Sequence, residues 1–149
     1  MGEVVYVALG SNLGDRHAAL AHARRGLAAL PGTRVTGESP VEETAPLGPV
    51  PQGAYLNQML RVETTLAPDA LLDACLAIEL SAGRDRASTP RWGPRTLDVD
   101  LVAFGARRLD TPRLRLPHPE LPNRDFWQRE LAALGADWRA LRALAGVAA

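Results

Sequence analysis

The chain has 149 residues with 17 basic and 17 acidic side chains, and every basic one is arginine. The absence of lysine excludes a Walker A phosphate loop, a protein-kinase strand lysine, a pyridoxal Schiff base and any other amine nucleophile. Zero net charge argues against a general nucleic-acid binder. The single cysteine, Cys75, permits neither an internal disulfide nor a multi-cysteine zinc site.

The first residues carry an acid, Glu3, where a signal peptide wants bases, and no apolar run reaches the roughly 18 residues that cross a bilayer. The expectation is a soluble cytoplasmic protein forming one domain over residues 1–149, with a composition able to bury a core.

Val4 to Leu9 is a β-branched and apolar run stopped by Gly10-Ser11-Asn12-Leu13-Gly14, which reads as a buried strand feeding a tight turn. That turn has neither the dinucleotide fingerprint nor the Walker spacing. Asp15 is a candidate N-cap for a helix with Leu20, Ala23, Leu27 and Leu30 on one face, ending at Pro31-Gly32. A second strand is expected from Arg34 to about Glu43. The segment from Thr44 to Ala54, with three prolines and two glycines, excludes helix and central strand.

From Tyr55 to Thr65 the apolar residues Leu56, Leu60 and Val62 alternate with polar ones, predicting a half-buried strand with Tyr55 and Asn57 on one face. Pro68 suits the first turn of a helix carrying Leu71, Leu72, Cys75, Leu76 and Leu80 and closing at Gly83. Glu79 lies near that apolar stripe, where a carboxylate calls for an arginine partner. An irregular loop from Gly83 to Thr96 holds Arg84, Arg86, Arg91 and Arg95, and Leu97 to Phe104 resumes strand character. A short hairpin through Leu109, the turn around Pro117-His118-Pro119, and helices near 122–134 and 136–145 complete the chain.

The order strand, helix, strand, strand, helix, strand predicts a ferredoxin-like α+β fold, a mostly antiparallel sheet with helices packed on one face. Its active site is expected on mobile loops meeting at one edge.

Asp98 and Asp100 stand two apart on a strand, so their side chains share a face with Cα atoms about 7 Å apart. Hard oxygen ligands without nearby histidine or cysteine favour magnesium, which completes its shell with water and substrate phosphate. An Asp-x-Asp on a solvent-facing strand is the bland alternative. The stretch from Arg84 to Arg124 holds nine arginines against five acids, and a guanidinium binds phosphate through two parallel hydrogen bonds. A solvated arginine loop is again the alternative for any single residue. Metal with arginine indicates polyphosphate chemistry. Tyr55, Asn57 and Phe126 are candidates for holding a flat heterocycle, and His118 for a site or a packing role.

The string Arg91-Trp92-Gly93-Pro94-Arg95-Thr96-Leu97-Asp98-Val99-Asp100 resembles the signature of the 6-hydroxymethyl-7,8-dihydropterin pyrophosphokinases. Supporting matches lie at residues 8–14, at Thr44-Ala45-Pro46-Leu47-Gly48-Pro49, at Tyr55-Leu56-Asn57, at Ile78-Glu79 with Gly83-Arg84, and at Pro117-His118. The resemblance covers roughly residues 4 to 126. It implies an enzyme of folate biosynthesis that moves the terminal diphosphate of ATP to the hydroxymethyl group of the dihydropterin, releasing AMP, and a ferredoxin-like fold.

It further implies that Asp98 and Asp100 hold two magnesium ions, that Arg84 and Arg95 contact the phosphates, and that Arg86, Arg91 and Trp92 lie along the same ATP channel. Thr44, Ala45 and Leu47 would touch the pterin, Asn57 would read its edge, and Tyr55 and Phe126 would sandwich its ring. Glu79, His118 and Arg124 would help bind ATP or pterin. ATP and the dihydropterin are the implied partners, with neither nucleic acid nor membrane, and a monomer is expected. After Phe126 the chain reads Trp127-Gln128-Arg129-Glu130, a departure from the family's proline-containing apolar run. Another magnesium-dependent nucleotidyl transferase or phosphohydrolase, or a non-catalytic ferredoxin-like module, is the alternative.

Overall fold

The computed structural model describes residues 2–46, 48, 52–83 and 96–147. The first strand, β1 (Glu3–Ser11), is buried on both faces from Val5 onward, as a near-continuous apolar run demands. Asp15 caps α1 (Arg16–Ala28), its carboxylate accepting from the Ala18 N–H at 3.0 Å. Ala19, Leu20, Ala23 and Leu27 form the buried face of that helix.

The single strand expected from Arg34 to about Glu43 is two strands, β2 (Thr33–Glu38) and β3 (Glu42–Thr44). Pro40 has no N–H to give a ladder and interrupts them. Buried Ser39 bridges the break: its N–H donates to the Met59 carbonyl at 2.9 Å and its Oγ accepts from the Met59 N–H at 2.8 Å. Both strands pair with β4 (Tyr55–Thr64).

Helix α2 (Pro68–Ser81) starts on proline and is followed by Gly83 at φ 93°, a left-handed conformation that suits glycine. It is followed by β5 (Asp98–Phe104). The main sheet runs β2-β4-β1-β5, antiparallel at every pairing, with β3 continuing the line of β2 along β4. A small hairpin of β6 (Leu109–Asp110) and β7 (Arg115–Leu116) turns later than a hairpin through Leu109 would, because Thr111 closes the turn by hydrogen bonds with Leu114. A 3₁₀ turn (Leu121–Asn123), α3 (Asp125–Ala133) and α4 (Trp138–Leu144) follow.

The helices do not all pack on one face. One core joins α1 and α2 to Val5, Val7, Leu9, Leu60, Val62 and Leu101. A second, on the opposite face, joins Phe126, Trp127 and Leu131 of α3 to Tyr6, Ala8, Met59 and Val102. Strand β4 is therefore not half-buried: Leu56, Asn57, Gln58, Met59 and Leu60 are all buried, because α3 covers the side on which solvent was expected. No helix among the described residues is long and apolar enough to cross a membrane.

Candidate active site

The register places the candidate residues in rows. Gly10 lies opposite Asn57 on one side and Asp98 on the other, and Ala8 lies between Met59 and Asp100 in the same way. Directly opposite residues of an antiparallel sheet leave the same face, here the one covered by α3. The floor between Asn57 and the aspartates is thus a hydrogen atom at Gly10 and a methyl at Ala8. At about 4.8 Å between strands, the flanking walls stand roughly 10 Å apart.

Glycine at position 10 keeps that floor low. A Cβ there would stand 3.3 Å from Tyr55 Cδ1 and 3.4 Å from Asn57 Oδ1, so both side chains lean over it. Asn57 is buried and its Nδ2 donates to the Thr44 hydroxyl, which ties the end of β3 to this wall. Ala45 follows exposed, and Leu47 lies outside the described residues. The wall is braced from behind, where Asn12 Nδ2 donates to Gln52 Oε1 at 2.7 Å and to the Gly53 carbonyl at 3.0 Å.

The opposite wall is β5, an edge strand whose outward backbone groups need partners. Glu79, 2% exposed, accepts the Val99 N–H at 2.8 Å, and the His118 N–H donates to the Val102 carbonyl at 2.8 Å. One partner of the Glu79 carboxylate is therefore backbone. Cys75, one turn earlier on α2, is buried, and burial, with the charges of Glu79 and Asp100, pushes its thiol up to about 12. Asp98 and Asp100 are half-buried on either side of Val99.

His118 Nδ1 accepts from the Glu120 N–H at 3.0 Å, which assigns the ring proton to Nε2. Burial, then the neighbouring Arg124 charge, lowers its pKa to about 4 against the pull of Glu120, so the ring is a neutral donor at physiological pH. Trp127 meets His118 edge-on at 4.9 Å and carries the Arg124 guanidinium 4.4 Å above its own face. Trp127 was absent from the sequence-based site; its adjacency to Phe126 was the available signal.

Asp100 and His118 both line a cavity of about 470 Å³ enclosed by α2, β5 and the β6–β7 hairpin. Its remaining walls include Leu72, Leu76 and Leu114, with Arg113 and Arg115 beside them. The volume is that of a small-molecule pocket. The alternation of arginine and leucine over residues 113–116 was the legible sign of this wall.

Arg84, Arg86, Arg91, Trp92 and Arg95 lie outside the described residues. Among those described, no group of three or more histidines, cysteines and carboxylates gathers to hold a metal ion. The paired aspartates nonetheless fit magnesium, a hard cation that takes one or two carboxylates and leaves the rest of its shell to water and phosphate.

Residues 6–136 match the family model described as 7,8-dihydro-6-hydroxymethylpterin-pyrophosphokinase. A 2-amino-4-hydroxy-6-hydroxymethyldihydropteridine pyrophosphokinase of Pseudomonas aeruginosa is 46% identical over 135 residues, covering 91% of this chain and 82% of the relative. Enzymes of the same name from Methylorubrum extorquens and Bacillus subtilis are 42% and 38% identical, covering 89% and 90% of this chain and 82% and 79% of the relatives. The sequence matches run through both walls and the floor between them, and the chain belongs to the 7,8-dihydro-6-hydroxymethylpterin-pyrophosphokinase family.

Proposed function

We propose that the protein transfers the terminal diphosphate of ATP to the hydroxymethyl group of 6-hydroxymethyl-7,8-dihydropterin, giving AMP and the dihydropterin diphosphate. The observation that carries this reading is the side-chain-free floor at Gly10, set between an amide wall and a carboxylate wall in a chain of this family. Asn57 and the backbone around Thr44, Ala45 and Leu47 would read the edge of the pterin, with Tyr55 and Phe126 against its faces. The 470 Å³ cavity would take the nucleoside, its leucines against the base and His118 Nε2–H as a donor beside it.

Asp98 and Asp100 would hold two magnesium ions, which when bound neutralise the charge of the transferring group. The hydroxymethyl oxygen bonds to the β-phosphorus, the bond to the bridging oxygen breaks, AMP leaves with that oxygen, and the hydroxyl proton is released. Arg84 and Arg95, with Arg86, Arg91 and Trp92, are assigned to the phosphates on the family resemblance alone. Glu79 acts from behind by fixing Val99 between the aspartates, and Arg124 by fixing Trp127 and His118. Positioning and charge neutralisation supply the acceleration, and no strong general base is invoked.

The strand order β2-β4-β1-β5 with α1 and α2 on one face supports the ferredoxin-like arrangement, to which β3, α3 and α4 are additions. A cytoplasmic monomer is the matching whole-protein reading. A nucleotidyl transferase or phosphohydrolase would have no use for the wall of Tyr55 and Asn57. Phosphorus NMR of the protein with ATP, magnesium and the dihydropterin decides: pterin-dependent AMP is expected, and ADP, or AMP that ignores the pterin, rejects the proposal.

A further inference from the structure

Glu130 of α3 is 3% exposed, and neither of its carboxyl oxygens makes a regular hydrogen bond among the described residues. Glu42 Oε1, on β3, is buried in the same condition. The two groups bear on one another: burial, then hydrogen bonding to Glu42 and its like charge, push Glu130 up to about 9. Two carboxylates cannot both stay ionised in such a place, and one shared proton turns their repulsion into a hydrogen bond. Arg129, 3.5 Å from Glu42 Oε2, ties α3 to β3, and its charge pulls against the rise at Glu130 without outweighing burial and Glu42. Arg129 also pairs with Asp125 at 3.1 Å, while Arg61 of β4 is occupied by the Thr36 carbonyl and by the Leu134 carbonyl at the end of α3.

The location gives the pair its meaning. Glu130 and Phe126 are four apart on α3 and leave the same face of the helix. Glu42 lies opposite Asn57, and Glu42 and Thr44 are two apart on β3 and share a face. The contact between the carboxyl groups thus sits one step along both elements from the gap between Phe126 and the Thr44–Asn57 wall.

We propose that Glu130 is a positioning residue for this gap, its shared proton with Glu42 docking α3 on β3 and setting the height of Phe126 above the floor at Gly10. The inference rests on the pterin reading of that floor. Glu130 touches no substrate; it acts through the helix.

The test compares Glu130→Gln, which keeps a donor to Glu42 and has no proton to lose, with Glu130→Ala, measuring KM for the dihydropterin and for ATP separately. Glu130→Ala should raise the dihydropterin KM roughly tenfold with the ATP KM within about twofold, and Glu130→Gln should restore it. The raised pKa means that the proton is held below about pH 9 and lost above it. The wild-type dihydropterin KM should therefore climb as pH rises through that value, whereas the Gln variant stays flat. The ratio of the two cancels any titration of the substrate.

An Ala variant with both KM values unchanged, or raised together, overturns the proposal. So does an alkaline climb that persists in Glu130→Gln, and this profile decides alone if the Ala variant does not fold. A wild-type protein that makes no pterin-dependent AMP would instead reject the substrate reading.

Discussion

Asp98 and Asp100 flank a residue whose N–H is already held by Glu79, so each can be changed without disturbing the core. Asp98→Asn and Asp100→Asn should each lower pterin-dependent AMP release on the order of a hundredfold or more while leaving the far-ultraviolet circular dichroism unchanged. Activity near that of the wild type in either would remove the metal role. His118 makes a different prediction, about stability. Its folded pKa of about 4 lies below the ordinary 6.5, so folding favours the neutral ring and its contribution is fully present above 6.5. As pH falls from there towards 4 the unfolded chain takes up the proton first, and stability should drop by at most about 3 kcal/mol. Urea midpoints across that window read the slope, which His118→Gln should flatten.

At the scale of elements, α1 and α2 touch at a glycine. A Cβ on Gly26 would fall 2.9 Å from Ile78 Cγ1 and 3.0 Å from its Cδ1, so Gly26→Ala trades a gain in helix propensity of about 1 kcal/mol for a wedge between the helices. The wedge should win, with a net loss of about 1–2 kcal/mol in urea unfolding. The capped start of α1 and the proline start of α2 were legible because they depend on neighbours in sequence. Strand β4 was misread because its second cover, α3, comes from far along the chain. Met59, apolar at a position where alternation asks for a polar side chain, was the overlooked trace of that second core. The break at Pro40 was missed, although a residue without an N–H cannot continue a ladder.

Across the whole molecule, both cores meet on β1, and the candidate site opens at the end of that strand where its side chains dwindle to alanine and glycine. The placement of Asp98 with Asp100 on one strand, and of Tyr55 with Asn57 on another, was readable because each pair stands two apart in sequence. The full lining of the 470 Å³ cavity, the Trp127 stack and the Glu42–Glu130 pair were not, since each joins segments that only the folded chain brings together. Cys75 has a consequence at this scale. A thiol held at about 12 on the buried face of α2 has almost no thiolate at neutral pH and no route to a reagent while the helix stays in place. Its alkylation should wait for the α2 layer to open, so the labelling rate becomes a clock for that opening, read by mass spectrometry without any engineered probe. Magnesium and ATP should slow the clock if the nucleoside binds against α2; labelling at the rate of a free thiol in the native protein would contradict the buried position.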